Sequence, residues 1–174
     1  RRLDAAAVLL VPRLTAPLPE DGKRPTEREL ATDAGVYDDG FIGVSARQAA
    51  FDLLQWRKRR PERQALDAAP GLFEGVEVLR SDGCGVGYWN APVRRIALRR
   101  GTFLAGDEPL LFYHFSGFVP DLSVAARGQT RIVWSDAPDL KRLYEQYVAE
   151  LNDNGLPFAA GWRYTYDYFD NGVR

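Results

Sequence analysis

The apolar positions of the chain begin with an unbroken run, Ala5 to Val11, closed by Pro12. A run of that length ending in a turn former reads as a short buried strand. The stretch PLPEDGKRP at 17–25 has the proline and charge density of a surface loop. Thr26 and Glu29 stand three apart, the spacing of a capping box, and predict a brief helix that stops before Gly35. GFIGVS at 40–45 predicts a strand whose glycines allow close backbone approach. Ser45 with Gln48 predicts the start of a second helix, along which Ala46, Ala49, Ala50, Leu53 and Leu54 recur at helical spacing.

That helix runs out into RKRRPER at 57–63, a basic run with two readings, a phosphate cradle or a solvated helix end that favours positive charge. Further on, VEVL at 76–79 predicts a strand and GCGVGYWN at 83–90 a glycine-rich turn into an aromatic step. RRIALRRGTFLAGDEPLLFYHFS at 94–116 predicts a hairpin followed by a central strand. The plainest element is a last helix on which Leu140, Leu143, Tyr144, Tyr147, Val148 and Leu151 form one apolar stripe, started by Ser135 or Asp136 and ended by Gly155. Strands alternating with two amphipathic helices make an α/β layer structure around a mixed sheet the expected class.

Composition narrows the function more than the fold. With 174 residues and 45% hydrophobic positions the chain is long enough to bury one real core, and it contains no internal repeat or low-complexity tract at which to divide 1–174. Its 23 basic and 24 acidic residues give a net charge of −1, so no global field draws in nucleic acid. The longest apolar run is far short of a membrane span, which needs about 20 residues. A single cysteine, Cys84, forms no internal disulfide, which fits a cytoplasmic location. It lacks the orienting partners of a thiol nucleophile, and Gly83, Gly85 and Gly87 have turn spacing rather than that of a dinucleotide loop. A start at Arg1-Arg2 and the absence of methionine fit a piece of a larger protein.

The one histidine, His114, ends an apolar run and is followed at once by Ser116 and Gly117. An imidazole at a polar strand end serves as a metal ligand or proton carrier, whereas a packed one is merely core. Tyr88, Trp89 and Asn90 put an aromatic face beside an amide, which suits a sugar ring; the alternative is core packing plus a turn amide. Asp38, followed by Asp39 and Gly40, offers a carboxylate for sugar hydroxyls or makes an ordinary turn.

Four segments together carry a resemblance: GVYDDGFIGV at 35–44, LDAAPGLFEGVEVLRSDGCGVGYWN at 66–90, EPLLFYHFSGFVPD at 108–121, and a helix ending YVAELNDNG at 147–155. They resemble the C-terminal half of bacterial glycosyltransferases with the GT-A fold, enzymes that use nucleotide sugars. The general pattern there is a strand with NxGF, an Asp-Gln pair before LDLAP, a YNVAYWN step and FFHFSGF. The resemblance implies a mixed-sheet sandwich, incomplete at the N-terminus, in which His114 binds a divalent metal (Mn or Mg) and, with Ser116 and Gly117, the donor diphosphate. It places Tyr88, Trp89 and Asn90 at a sugar subsite.

It also implies catalytic roles for Asp38, at the asparagine of NxGF, and for Gln64, the glutamine nearest the Asp-Gln position. Aligned on LDAAP, Glu62 and Arg63 fall where the pair stands in the family. No Asp-x-Asp motif occurs in the chain, so a metal is expected only where an upstream half supplies those carboxylates. The resulting expectation is transfer of a sugar from a nucleotide-sugar donor to a glycan, lipid or protein acceptor. The alternative is a non-catalytic carbohydrate-binding or structural relic of the same fold.

Overall fold

The computed structural model of the protein describes residues 2–162 together with Phe169 and Val173. A first helical turn, α1 (Arg2–Ala5), leads into strand β1 (Val8–Pro12), every residue of which is buried. Helix α2 (Glu27–Asp33) follows with the expected capping box, Thr26 accepting from the Glu29 N–H and Glu29 accepting from the Thr26 N–H. Strand β2 (Tyr37–Val44) runs antiparallel to β1, with Leu10 opposite Ile42 and Pro12 opposite Tyr37. Strand β3 (Val76–Val78) pairs with β1 on the other side in parallel, so the sheet β2-β1-β3 is mixed, as expected.

Helix α3 (Gln48–Lys58) begins later than Ser45 predicted. The Ser45 N–H completes the strand by donating to Ala7, and the helix N-cap falls on Arg47 with no side-chain bond. A 3-10 turn (Arg63–Ala68) and α4 (Ala69–Leu72) lead to β3; the sequence pattern did not signal either. Leu53 and Ala50 of α3 close over Val8 and Leu10 of β1 with Leu66 and Ala69. Each large side chain buried this way contributes roughly 1.5–3 kcal/mol.

The second half adds two small sheets rather than one continuous sandwich. Strand β4 (Val86–Gly87), the turn α5 (Ala91–Arg94), the hairpin β5 (Ile96–Arg99) and β6 (Thr102–Ala105), β7 (Glu108–Pro109) and β8 (Tyr113–His114) follow in order. The hairpin β5-β6-β7 is antiparallel, and β4 pairs with β8 in parallel. The predicted central strand is reduced to two residues for a backbone reason. Leu110 donates to Phe103 of the hairpin and Leu111 to Gly83 of the glycine-rich turn, so the segment changes partner at each step and no ladder extends.

Helix α6 (Pro138–Asp153) starts two or three residues after Ser135 and Asp136, at a proline whose missing N–H suits the first helical position. Its stripe is as predicted: Leu140 and Tyr144 are buried, Leu143 packs beside them, and Tyr147 stacks on Phe115. A final turn, α7 (Leu156–Ala159), follows Gly155, which has φ of 87°. Among the described residues no helix is long and apolar enough to cross a membrane.

Candidate functional site

Three chain segments end at one place. Arg13 directly follows β1, Tyr88 and Trp89 directly follow β4, and His114 ends β8. All three strand ends are carboxyl ends, where ligands of open α/β sheets gather. Because β2 runs against β1, its second and third residues, Asp38 and Asp39, lie beside them. The pairing of Gly87 with His114 sets the YWN step and the HFSGF segment side by side. Together these residues line a cleft of about 300 Å³ with Gly40, Arg63 and Ser116 on its walls.

Asp38 is the electrostatic centre. It is 2% exposed, and its Oδ2 lies 2.7 Å from Nε2 of His114. At this separation the imidazole and the carboxylate are in direct polar contact. Oδ1 accepts from the Gly40 N–H at 3.1 Å and stands 3.6 Å from Nη1 of Arg13. Burial pushes the Asp38 carboxyl upward, but the imidazole, the Gly40 N–H and the Arg13 charge outweigh it, leaving the group below its ordinary value.

Glycine at position 40 makes the approach of the imidazole possible. A Cβ there would stand 2.6 Å from Cε1 of His114. At Gly87 a Cβ would lie 2.4 Å from the Trp89 ring, so this glycine lets the indole fold back over β4. Trp89 is 4% exposed and carries the guanidinium of Arg13 over its face, 5.3 Å from the centroid. Arg13 in turn donates to Asp39 at 2.6 Å.

The expected site residues divide. Asp38, His114, Trp89, Tyr88 and Ser116 line the cleft. Asn90 does not: it is fully buried, its Oδ1 accepts from Gly87, and its Nδ2 donates to the carbonyls of Arg13 and Gly85. This amide locks the turn, with both its N–H groups used and the whole side chain enclosed away from the cleft. Gln64 donates to the carbonyl of Thr32 and is absent from the cleft lining. Gly117 holds a φ of 68° and accepts from Arg127 N–H, which shapes the loop after β8 rather than the cleft wall.

A divalent cation wants about six oxygen donors. His114 and Asp38 face each other, Asp39 answers Arg13 and Arg63, and no group of three His, Cys, Asp or Glu among the described residues could hold a metal. These side chains alone do not make a metal site. Arg13 escaped the sequence reading, although a charge set immediately after a fully buried strand was a usable signal for it; Asp39 and Arg63 were singled out there only as neighbours of Asp38 and of the Asp-Gln position and as part of the 57–63 basic run.

The chain is 25% identical over 137 residues to the uncharacterized protein YfnD of Bacillus subtilis, covering 67% of this chain and 43% of that protein. It is 30% identical over 159 residues to the uncharacterized protein YfnF of the same organism, covering 79% of this chain and 48% of that protein. The chain therefore spans less than half the length of these relatives. No protein-family model matches it, and no solved structure matches it.

Proposed function

We propose that the cleft is the sugar end of a nucleotide-sugar site and that the protein takes part in glycosyl transfer on a GT-A-like fold. The observation that carries this reading is the parallel pairing of Gly87 with His114, which brings the two motifs of the resemblance to one cleft at the carboxyl ends of the strands. In such a transfer an acceptor hydroxyl forms a bond to the anomeric carbon while the bond to the diphosphate breaks, and the hydroxyl proton leaves to a base. Half-buried Tyr88, backed by the buried Trp89, offers apolar surface to the C–H face of a sugar, and His114, its ring held by Asp38 behind it, offers its imidazole edge to the hydroxyls. A divalent cation, which would stabilise the departing diphosphate, belongs to this reading only with carboxylates from outside these residues. The acceptor class is a glycan, lipid or protein hydroxyl, and a cytoplasmic location goes with a nucleotide-sugar donor.

A second reading, carbohydrate binding without transfer, is favoured by the place of Gln64, whose amide is tied to Thr32 outside the cleft. Calorimetric titration with uridine, guanosine and thymidine diphosphate sugars, with free sugars, and with transfer assays on the same mixtures separates the two. Glycosyl transfer expects binding that falls at least about tenfold in His114→Ala and Trp89→Ala. Binding of free sugars without nucleotide dependence or turnover would support the second reading, and no binding of any of them would overturn both.

A further inference from the structure

The two nitrogens of His114 stand in different surroundings. Nε2 is enclosed, 2.7 Å from Oδ2 of the buried Asp38. Two bare lone pairs would repel at that distance, so one of the two atoms carries a proton. The Asp38 carboxyl is held below its ordinary value and is ionised at neutral pH, which puts that proton on Nε2.

A neutral imidazole has one N–H, and placing it on Nε2 leaves a lone pair on Nδ1. Nδ1, unlike Nε2, is open: it has no hydrogen-bond partner among the described residues and is not enclosed. Gly40 on the cleft wall stands at this edge of the ring, where a Cβ would lie 2.6 Å from Cε1 and 3.3 Å from Nδ1. Phe112 packs edge-on against the imidazole at 5.3 Å and Trp89 at 5.8 Å, while the Gly40 N–H and Arg13 hold the Asp38 carboxylate from its other oxygen. A buried carboxylate behind one nitrogen and an open lone pair on the other is the arrangement of a base with its orienting group.

We propose that His114 is the catalytic base of the cleft, taking the acceptor's hydroxyl proton on Nδ1, and that Asp38 is the positioning residue that fixes its tautomer. The inference rests on the reading of the cleft as a site of glycosyl transfer. As the acceptor oxygen bonds to the anomeric carbon, its O–H bond breaks and the proton passes to Nδ1. The bond from the anomeric carbon to the diphosphate breaks, and its electron pair leaves on the diphosphate. The imidazolium so formed faces the Asp38 carboxylate, which stabilises it.

His114 is the one histidine of the chain, so isotope labelling of histidine nitrogens gives a single imidazole to follow by nuclear magnetic resonance. At neutral pH the whole chain should show a protonated Nε2 and a bare Nδ1, a preference that Asp38→Asn weakens or reverses. A proton on Nδ1 or on both nitrogens overturns the proposal, as does saturable broadening of Nδ1 by manganese, which would make it a metal ligand. Release of nucleoside diphosphate from uridine, guanosine and thymidine diphosphate sugars, with monosaccharides as acceptors, tests the role. His114→Gln keeps a hydrogen-bonding side chain that cannot take a proton, and its kcat should fall at least about a hundredfold with KM little changed. Unchanged turnover in His114→Gln overturns the base and leaves the transfer reading standing. A fall in kcat of Asp38→Asn with the tautomer unaltered overturns the positioning role. No turnover by the wild type overturns the transfer reading and the base with it.

Discussion

Gly40 and Asp38 show how little separates a packed histidine from a positioned one. The imidazole sits where it does because position 40 has no side chain. Gly40→Ala would set a methyl 2.6 Å from Cε1, so either the ring or β2 must move. A loss of about 1–3 kcal/mol is expected, as for other overpacked sites, together with displaced ring resonances of His114. An unchanged melting temperature and spectrum would show that the ring has room. Asp38→Asn tests the charge. Because the folded carboxyl lies below its ordinary value, its contribution is fully present above about pH 4 and disappears as the pH falls through the lower folded value. Asp38→Asn should therefore cost about 3 kcal/mol at pH 7 and less at pH 3 in urea denaturation. Equal losses at both would mean the carboxylate is not held ionised. Position 38 was legible in the sequence as a carboxylate beside a glycine, but its partners His114 and Arg13 lie far away along the chain, and periodicity carries no information about such meetings.

At the scale of elements, local signals succeeded where the chain bonds to itself and failed where distant segments supply the partner. The Thr26 capping box and the α6 stripe depend on residues three or four apart, and both are present. The strand predicted through FYHFS depends on which segments accept from Leu110 and Leu111, and those acceptors belong to two different elements. The aromatic seam between β8 and α6 carries its own prediction. The hydroxyls of Tyr113 and Tyr144 are 3.1 Å apart, and burial raises Tyr113 well above the ordinary phenol range and Tyr144 to about 12. Raised folded values stabilise the protein fully below about pH 10, and that stabilisation is lost as the pH rises through the folded values. Tyr144→Phe should cost about 1 kcal/mol at neutral pH for the lost hydroxyl bond. It should also remove part of the alkaline loss, followed by phenolate absorbance and circular dichroism together. Identical alkaline transitions in the two proteins would place the titrating tyrosine elsewhere.

At the scale of the whole molecule, the question is what makes three small sheets behave as one body, and Arg94 is the residue that answers it. It is 2% exposed and donates through Nη1 to the carbonyls of Asp82 and Cys84 and through Nη2 to that of Pro12 at 3.4 Å. The end of β1, the glycine-rich turn before β4, and α5 are thus tied to one guanidinium, beside the bond from Asn90 to the Arg13 carbonyl. In sequence Arg94 is one of several arginines around a hairpin, and nothing in the pattern marks it as buried, because the carbonyls that hold it are backbone groups present at every position. Arg94→Met keeps the bulk and removes the donors, leaving carbonyls unpaired at about 1–3 kcal/mol each, so a loss of roughly 3 kcal/mol or more is expected. Arg94→Lys keeps the charge but not the fork, and should recover only part of it. Tryptophan fluorescence, which reports Trp89 packed with Leu18 and Leu30 beside the end of β1 and Trp134 against Tyr144 of α6, and far-ultraviolet circular dichroism should give one coincident urea transition in the wild type. In Arg94→Met the transitions should separate, the fluorescence change preceding the loss of helix, because the mixed sheet and the α6 cluster would no longer share their central tie. Coincident transitions in Arg94→Met, whatever its stability, would mean that packing alone couples the sheets and that the guanidinium is only one contact among many.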